Sequence, residues 1–281
     1  MFTHLDNFFN NERLLLQIIA LGSSIGGLLA NFEWLQLAEH FKNGGLYSSK
    51  TREIRLPNIV GNKFVKLFSS IFSYPNFLLL FVLRIILIVT LFFTINNPLT
   101  FGFLCLLLVL IAIIISIRGN EGTTGADQIN TITLLIVGLC ILSPTKLVWI
   151  TGIISLAILL IIAYSTSGWI RILQPTWRNG KDLLVVLRQH TYGNKFVWNI
   201  GKKNPNLIKF TSLSILIFEC LAPIIIFMPL KVVLVYLVVG VVFHLLNALI
   251  MGLNIFVWSF ISLYVSYLWL AYKLDLILWT K

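Results

Sequence analysis

Long runs of apolar residues, separated by short polar stretches, dominate the pattern of this sequence. Two of the runs, Phe77–Ile95 and Phe101–Ile117, consist almost entirely of Leu, Ile, Val and Phe. Each approaches the roughly 20 apolar residues that a helix needs to cross the hydrocarbon of a bilayer. A transmembrane barrel would instead alternate in segments of about ten residues, and the sequence shows no such pattern. The pattern therefore predicts an all-α, polytopic integral membrane helical bundle.

Hydropathy predicts about eight membrane segments, near residues 13–31, 77–96, 99–117, 128–142, 146–165, 210–228, 231–250 and 253–272. The fourth is short and begins with polar residues, so it fits either a full span or a re-entrant segment. The long polar connections contain two amphipathic stretches, Phe64–Phe72 and Leu183–Leu187, which predict short interfacial helices. No appended soluble domain is evident, and we expect a single transmembrane domain over residues 1–281.

Composition supports the membrane class, because 58% of the residues are hydrophobic and 11% are charged, whereas soluble domains carry about 25% charged residues. The formal net charge is +11. The basic residues concentrate in the connections 32–76 and 166–209, where membrane orientation and anionic lipid headgroups explain them, so we expect no nucleic-acid partner. If both connections are cytoplasmic, an even number of spans must separate them.

Metal and disulfide chemistry are not expected from this sequence. The chain has four histidines and no HExxH or paired-histidine motif. Its three cysteines lie inside apolar runs without CxxC spacing, which indicates buried thiols that act as small apolar side chains. They are Cys105, Cys140 and Cys220.

Ionisable residues inside apolar segments are costly, so each needs a partner or a function. Arg84 either snorkels to the interface or pairs with an acid. Glu219, one turn before the helix-distorting Pro223, should face the bundle interior as a paired or a protonated carboxyl group. His244 and Asn247 lie one helical turn apart on a shared face. There, the imidazole is either a hydrogen-bonded core group or part of a site.

Two polar stretches interrupt the apolar pattern. In the first, residues 118–135, the glycines Gly119, Gly122 and Gly125 predict a tight, irregular turn, and Asp127 either caps the following helix or belongs to a site. In the second, GWIRILQPTWRNGKDL, the charge of Arg171 can reach headgroups or an internal carboxylate. Trp177 suits the membrane interface.

Four elements of the chain, in their order, resemble the pattern of the HTTM (horizontally transferred transmembrane domain) family. These bacterial membrane proteins are related to the membrane domain of vitamin K-dependent gamma-glutamyl carboxylase. The matching residues are Gly125, Asp127 and Gln128; Gly168, Trp177 and Gly180; Phe218, Glu219 and Pro223; and Phe243, His244, Gly252 and Phe256.

The resemblance implies an accessory factor in peptide modification, maturation or export. It would be a multi-pass protein of the bacterial inner (plasma) membrane, with membrane lipid, a peptide substrate and a second maturation protein as partners. The alternative is a quinone-dependent membrane enzyme related to vitamin K-dependent gamma-carboxylase, with a reduced, vitamin K hydroquinone-like quinone as cofactor. A transporter or channel is a third class, although we find no inverted repeat.

The family's base, a lysine, is replaced here by Arg171. A guanidinium stays charged at neutral pH, so it can bind a carboxylate or an oxyanion but cannot act as a general base. Glu219 or His244 would have to replace the lysine. The resemblance thus implies catalytic candidates and substrate- or quinone-binding candidates. The catalytic candidates are Arg171, Glu219 and His244, and the binding candidates are Asp127, Trp177 and Asn247.

Overall fold

The structure is a computed structural model that describes residues 8–45, 47–48, 69–118 and 124–279. Within these ranges the chain is helical and contains no β-strand. Eight helices are long and apolar enough to cross a membrane, so the prediction of an all-α, multi-pass membrane protein is confirmed. They are α1 (Glu12–Gln36), α2 (Asn76–Phe93), α3 (Pro98–Arg118), α4 (Gly125–Leu142), α5 (Lys146–Ile172), α6 (Pro205–Ile225), α7 (Leu230–Met251) and α8 (Asn254–Leu278).

Helix α4 corresponds to the fourth apolar segment, for which the sequence allows either a full span or a re-entrant segment. It is a continuous helix of 18 residues, or roughly 27 Å at 1.5 Å per residue. That length is close to the ~30 Å of a bilayer's hydrocarbon core, and it favours a span over a re-entrant segment. If α2–α5 all cross the bilayer, four spans separate the two basic connections, which is the even number that the positive-inside rule requires.

The long helices expose large apolar side chains over much of their length. Leu79 is 64% exposed, Phe93 82% and Leu249 79%. Soluble monomers rarely expose continuous apolar surface on this scale, whereas such side chains are suited to contact with lipid hydrocarbon. The exposed apolar side chains of the long helices are therefore suited to contact with membrane lipid.

Short helices follow the long ones in the connections. The predicted amphipathic stretch Leu183–Leu187 lies within the helix Lys181–Arg188, in which Leu187 is buried and Val185 is 58% exposed. Two further short helices, Pro175–Arg178 and Lys195–Lys203, flank it. Most of the predicted stretch Phe64–Phe72 lies outside the described residues, and its end forms the helix Ser69–Phe72. Gly119 and Gly122 of the predicted turn also lie outside them, whereas Gly125 is the first residue of α4.

The chain divides into two compact units. The larger unit comprises residues 1–19 and 145–281, and the smaller unit comprises residues 20–144. In the larger unit α5 packs against both α6 and α8, and α7 packs against α8. In the smaller unit α3 packs against α2 and α4. Cys105 and Cys140 are buried, Cys220 is half-buried, and all three thiols are free.

Candidate functional site

Residues 168–180, which comprise the last turn of α5 and the short helix Pro175–Arg178 after it, pack along one face of α6. That face carries Ile208, Ser212 and Glu219, which are all buried and spaced as i, i+4 and i+11. This spacing places them in one row along a helix. Residues 168–180, which interrupt the apolar pattern of the sequence, therefore form a docking segment within the larger unit.

Two glycines allow this close packing. A Cβ atom on Gly168 would lie 2.9 Å from both the Cβ of Glu219 and the backbone nitrogen of Cys220. Gly180 has a φ of +81°, a left-handed conformation that favours glycine, and a Cβ there would lie 2.9 Å from the backbone of Ile208 and Lys209. A side chain at position 168 would therefore require α5 or α6 to shift slightly.

Between these glycines, Arg171 forms an ion pair with Glu219. Its Nη2 atom lies 2.6 Å from Oε1 and 2.5 Å from Oε2 of the carboxylate. The guanidinium Nε also donates to the Ser167 carbonyl oxygen at 2.9 Å, and Nη2 contacts the Ser167 hydroxyl. The Glu219 side chain is 5% exposed and that of Arg171 is 23% exposed. The pair therefore joins a buried acid on α6 to a partly exposed base on α5.

Trp177 completes the docking segment. Its ring lies 5.0 Å from the guanidinium carbon of Arg171, which is within the range of a cation–π contact. Its backbone carbonyl accepts a hydrogen bond of 2.6 Å from the Ser212 hydroxyl. The tryptophan thus covers the guanidinium and also attaches the segment to α6.

A second polar cluster surrounds His244 on α7. Its Nε2 atom is hydrogen-bonded to the Tyr164 hydroxyl at 2.7 Å, and that hydroxyl lies 2.5 Å from the Tyr264 hydroxyl. The imidazole stacks on Phe260 with ring centroids 4.2 Å apart. Its Nδ1 atom is buried and has no hydrogen-bond partner among the described residues. The result is a chain of three polar groups on three helices inside an aromatic environment.

Two tyrosine hydroxyls donate hydrogen bonds to backbone carbonyls of α6 near Pro223. Pro223 has no N–H group, so it cannot donate the helical hydrogen bond to the Glu219 carbonyl. Near this point the Tyr236 hydroxyl donates to the Phe218 carbonyl at 3.1 Å, and the Tyr267 hydroxyl donates to the Ala222 carbonyl at 2.6 Å. Side chains from α7 and α8 thereby support the helix where proline weakens it.

The structure brings part of the expected site together. Arg171, Glu219 and Trp177 form one cluster, and the His244 cluster is its neighbour. Tyr164 precedes Ser167 by about one turn of α5, and its ring lies 5.2 Å from that of Phe218, the residue before Glu219. The two clusters therefore share neighbouring positions on α5 and α6.

For the two remaining expected residues, the described part of the chain shows no hydrogen bond to either cluster. Asn247 is half-buried, and its backbone carbonyl accepts from Gly252 at the end of α7. Asp127 belongs to the smaller unit, where its Oδ2 atom accepts from the Thr124 backbone nitrogen at 2.8 Å and from the Thr124 hydroxyl at 2.9 Å. This capping box matches the capping alternative for Asp127.

Sequence reasoning missed three contributors, Ser167, Tyr164 and Tyr264. The spacing of Tyr164, Gly168 and Arg171 as i, i+4 and i+7 could have identified Tyr164, because it places all three residues on one face of α5. Tyr264 carried no comparable signal, because it lies within the apolar α8 far from any polar motif.

Comparison of the chain with known protein families, with curated proteins and with solved structures finds no match. The HTTM resemblance therefore stays a prediction. Among the described residues, no group of three or more His, Cys, Asp and Glu side chains is arranged to hold a metal ion.

Proposed function

We propose that this multi-pass membrane protein is an HTTM-like accessory factor of the bacterial inner membrane, acting in peptide modification, maturation or export. Its partners would be membrane lipid, a peptide substrate and a second maturation protein. The ordered sequence elements support the family. Three of those elements also meet in the larger unit. Gly168 packs against Glu219, and Phe218 contacts Phe243 with ring centroids 5.5 Å apart.

The ion pair between Arg171 and Glu219 is the observation that favours an accessory role over catalysis. Both carboxylate oxygens of Glu219 are engaged by the guanidinium, and a guanidinium cannot accept a proton at neutral pH. A general base needs a free lone pair aimed at the proton that it removes. Arg171 cannot act as that base, and its guanidinium occupies one acceptor position on each oxygen of Glu219, so the contacts favour a pair that joins α5 to α6.

A comparison of secreted peptides tests the proposal. We would delete the gene in its host, restore it with the wild-type chain, and compare the peptides in the medium and the membrane by mass spectrometry. The deletion should leave one peptide unmodified, unprocessed or retained, and the wild-type chain should reverse this change. A variant with both Arg171→Met and Glu219→Leu should restore it as well. A peptide profile that does not respond to the deletion would refute the accessory role.

The His244 cluster favours a second candidate, the quinone-dependent enzyme. The imidazole has one buried nitrogen without a partner in the described part of the chain and another that is bonded to the Tyr164 hydroxyl. It could therefore hold a proton and pass it to the neighbouring hydroxyls.

Quinol consumption by the purified protein separates the two candidates. The enzyme would lose consumption in His244→Ala and keep it in Glu219→Gln. The accessory factor would show no consumption above background in any of the proteins. Equal consumption in the wild type and both variants would exclude both residues as the base.

A further inference from the structure

The smaller unit contains a cavity of about 330 Å³ that the proposed function does not use. Its volume falls at the lower end of the range for small-molecule sites. One wall is aromatic and is formed by Trp34, Phe41, Phe77 and Phe81. Three of these residues are almost fully buried, and Trp34 stacks on Phe81 with ring centroids 6.4 Å apart. Such a wall suits a flat or aliphatic apolar body.

Arg84 lines the cavity together with the polar residues Ser116, Asp127, Gln128 and Thr131. It follows Phe77 and Phe81 at i+7 and i+3, so the three side chains share one face of α2. Arg84 is 7% exposed although it lies in the middle of an apolar helix. It therefore neither snorkels to the interface nor, among the described residues, lies within 4.0 Å of a carboxylate.

The hydrogen bonding of this arginine is incomplete. Its Nη1 atom donates to the Asn31 Oδ1 atom at 3.5 Å, and its Nε atom is buried without a partner within the described ranges. The Asn31 Nδ2 atom is likewise buried and unpartnered there. Both orphaned atoms are donors, and burying a cationic donor that has no acceptor is expensive. The site therefore lacks an acceptor, and an anionic oxygen group would supply it.

The cavity also reaches the apolar surface of the unit. Ile113, Ile117 and Ile132 line the cavity, yet they are 46%, 38% and 41% exposed. In a membrane-spanning helix such side chains contact lipid hydrocarbon. A ligand with an apolar body can therefore enter from the bilayer without passing through water.

We infer that this cavity binds an amphipathic anion, with its charged oxygen head on Arg84 and its apolar body against the aromatic wall. The head is either the carboxylate of a fatty acid or the phosphate of a phosphorylated lipid. Asp127 is the other charged residue among the described lining residues, and its Oδ2 atom already accepts from Thr124. A head with a single negative charge therefore fits better than one with two.

Binding of three probes of equal chain length tests the inference. Decanoate, decyl phosphate and the neutral decanol would be titrated into the full-length protein in uncharged detergent micelles, and binding would be followed by tryptophan fluorescence. At least one anion should bind saturably and at least tenfold more tightly than decanol. Tighter binding of decanoate indicates a fatty acid, and tighter binding of decyl phosphate indicates a phosphorylated lipid. Decanol binding as tight as both anions would overturn the inference.

Arg84→Met keeps the length of the side chain and removes its charge. The preference for the anion over decanol should fall at least tenfold, while decanol binding should stay unchanged. Because this change removes a buried charge that forms no ion pair within 4.0 Å in the described part of the chain, the variant should fold. An unchanged preference would refute the role of Arg84. Asp127→Asn should bind the anion as tightly as the wild type or more tightly, and weaker binding would exclude an anionic head.

A pair of surface variants keeps the test decisive if Arg84→Met fails to fold. Ile132→Trp fills the mouth of the cavity and should weaken binding of every probe at least fivefold. Leu139→Trp is the matched control, because Leu139 lies on the same helix, is 57% exposed and does not line the cavity. Equal binding by these two variants would place the ligand elsewhere.

Discussion

Breaking the pair between Arg171 and Glu219 from either side should have unequal effects on stability. Arg171→Met leaves the carboxylate of Glu219, 5% exposed, without its cation. Glu219→Leu leaves a guanidinium that is 23% exposed and still donates to the Ser167 carbonyl at 2.9 Å. Removing the partner of the more deeply buried charge costs more free energy of folding, because that charge is further from water. The arginine variant should therefore be the less stable of the two.

The exposed fractions of the two side chains set the loss of folding free energy expected for each variant. Removing one partner of a buried ion pair costs about 3–5 kcal/mol, and Arg171→Met should reach that range. Loss of a hydrogen bond to a partly exposed charged group costs about 1.5–3 kcal/mol, which we expect for Glu219→Leu. Replacing both partners with apolar groups of similar size is often neutral. The double variant should therefore unfold within about 1–2 kcal/mol of the wild type.

Unfolding of the purified proteins by sodium dodecyl sulfate in mixed micelles, followed by far-ultraviolet circular dichroism, would measure these free energies. Arg178→Met is the matched control, because Arg178 is an exposed cation in the same segment. It should change stability by less than about 0.5 kcal/mol. A coupling energy of at least ~2 kcal/mol between the two positions is expected. Strictly additive single variants would show that the pair does not join α5 to α6.

Three further substitutions can be followed by the same unfolding measurement. Gly168→Leu should destabilise by more than about 1 kcal/mol through overpacking against α6; a neutral result would contradict the close helix contact. Tyr164→Phe should cost about 1–3 kcal/mol, because the His244 imidazole loses its partner; exposed Tyr192→Phe is its control, and equal stability would rule out the buried chain. Asp127→Ala should cost about 1 kcal/mol, because the capping box with Thr124 at the start of α4 loses the Asp127 side chain; unchanged stability would contradict a stabilising role for this capping box.

Hydropathy located the long helices well and their ends less well. The predicted segment 146–165 continues as a helix to Ile172, because Ser165 and Gly168 reduce hydropathy while both are buried against neighbouring helices. Helix α6 begins at Pro205 and not near residue 210. A proline is favoured in the first turn of a helix, so the start was marked by a residue that hydropathy scores as polar.

The candidate site was only partly predictable. The polarity of Glu219 within an apolar segment indicated a paired or protonated acid in the bundle interior, and an internal carboxylate was one of the two partners expected for Arg171. Their pairing joins residues 48 positions apart, and periodicity along each helix does not determine how two helices rotate against each other. The same reason explains why the contact of His244 with Tyr164 could not be derived from spacing alone.

Formation of a disulfide across α5 and α6 would test the docking of residues 168–180 most directly. A Cβ atom at Gly168 would lie 3.0 Å from the Sγ atom of Cys220, which is close enough for a disulfide. We would oxidise Gly168→Cys in membranes and measure free thiols by alkylation and mass spectrometry, with Trp169→Cys, 54% exposed, as the control. The account predicts a disulfide to Cys220 in the first variant and none in the second. No disulfide in either variant, or equal formation in both, would contradict it.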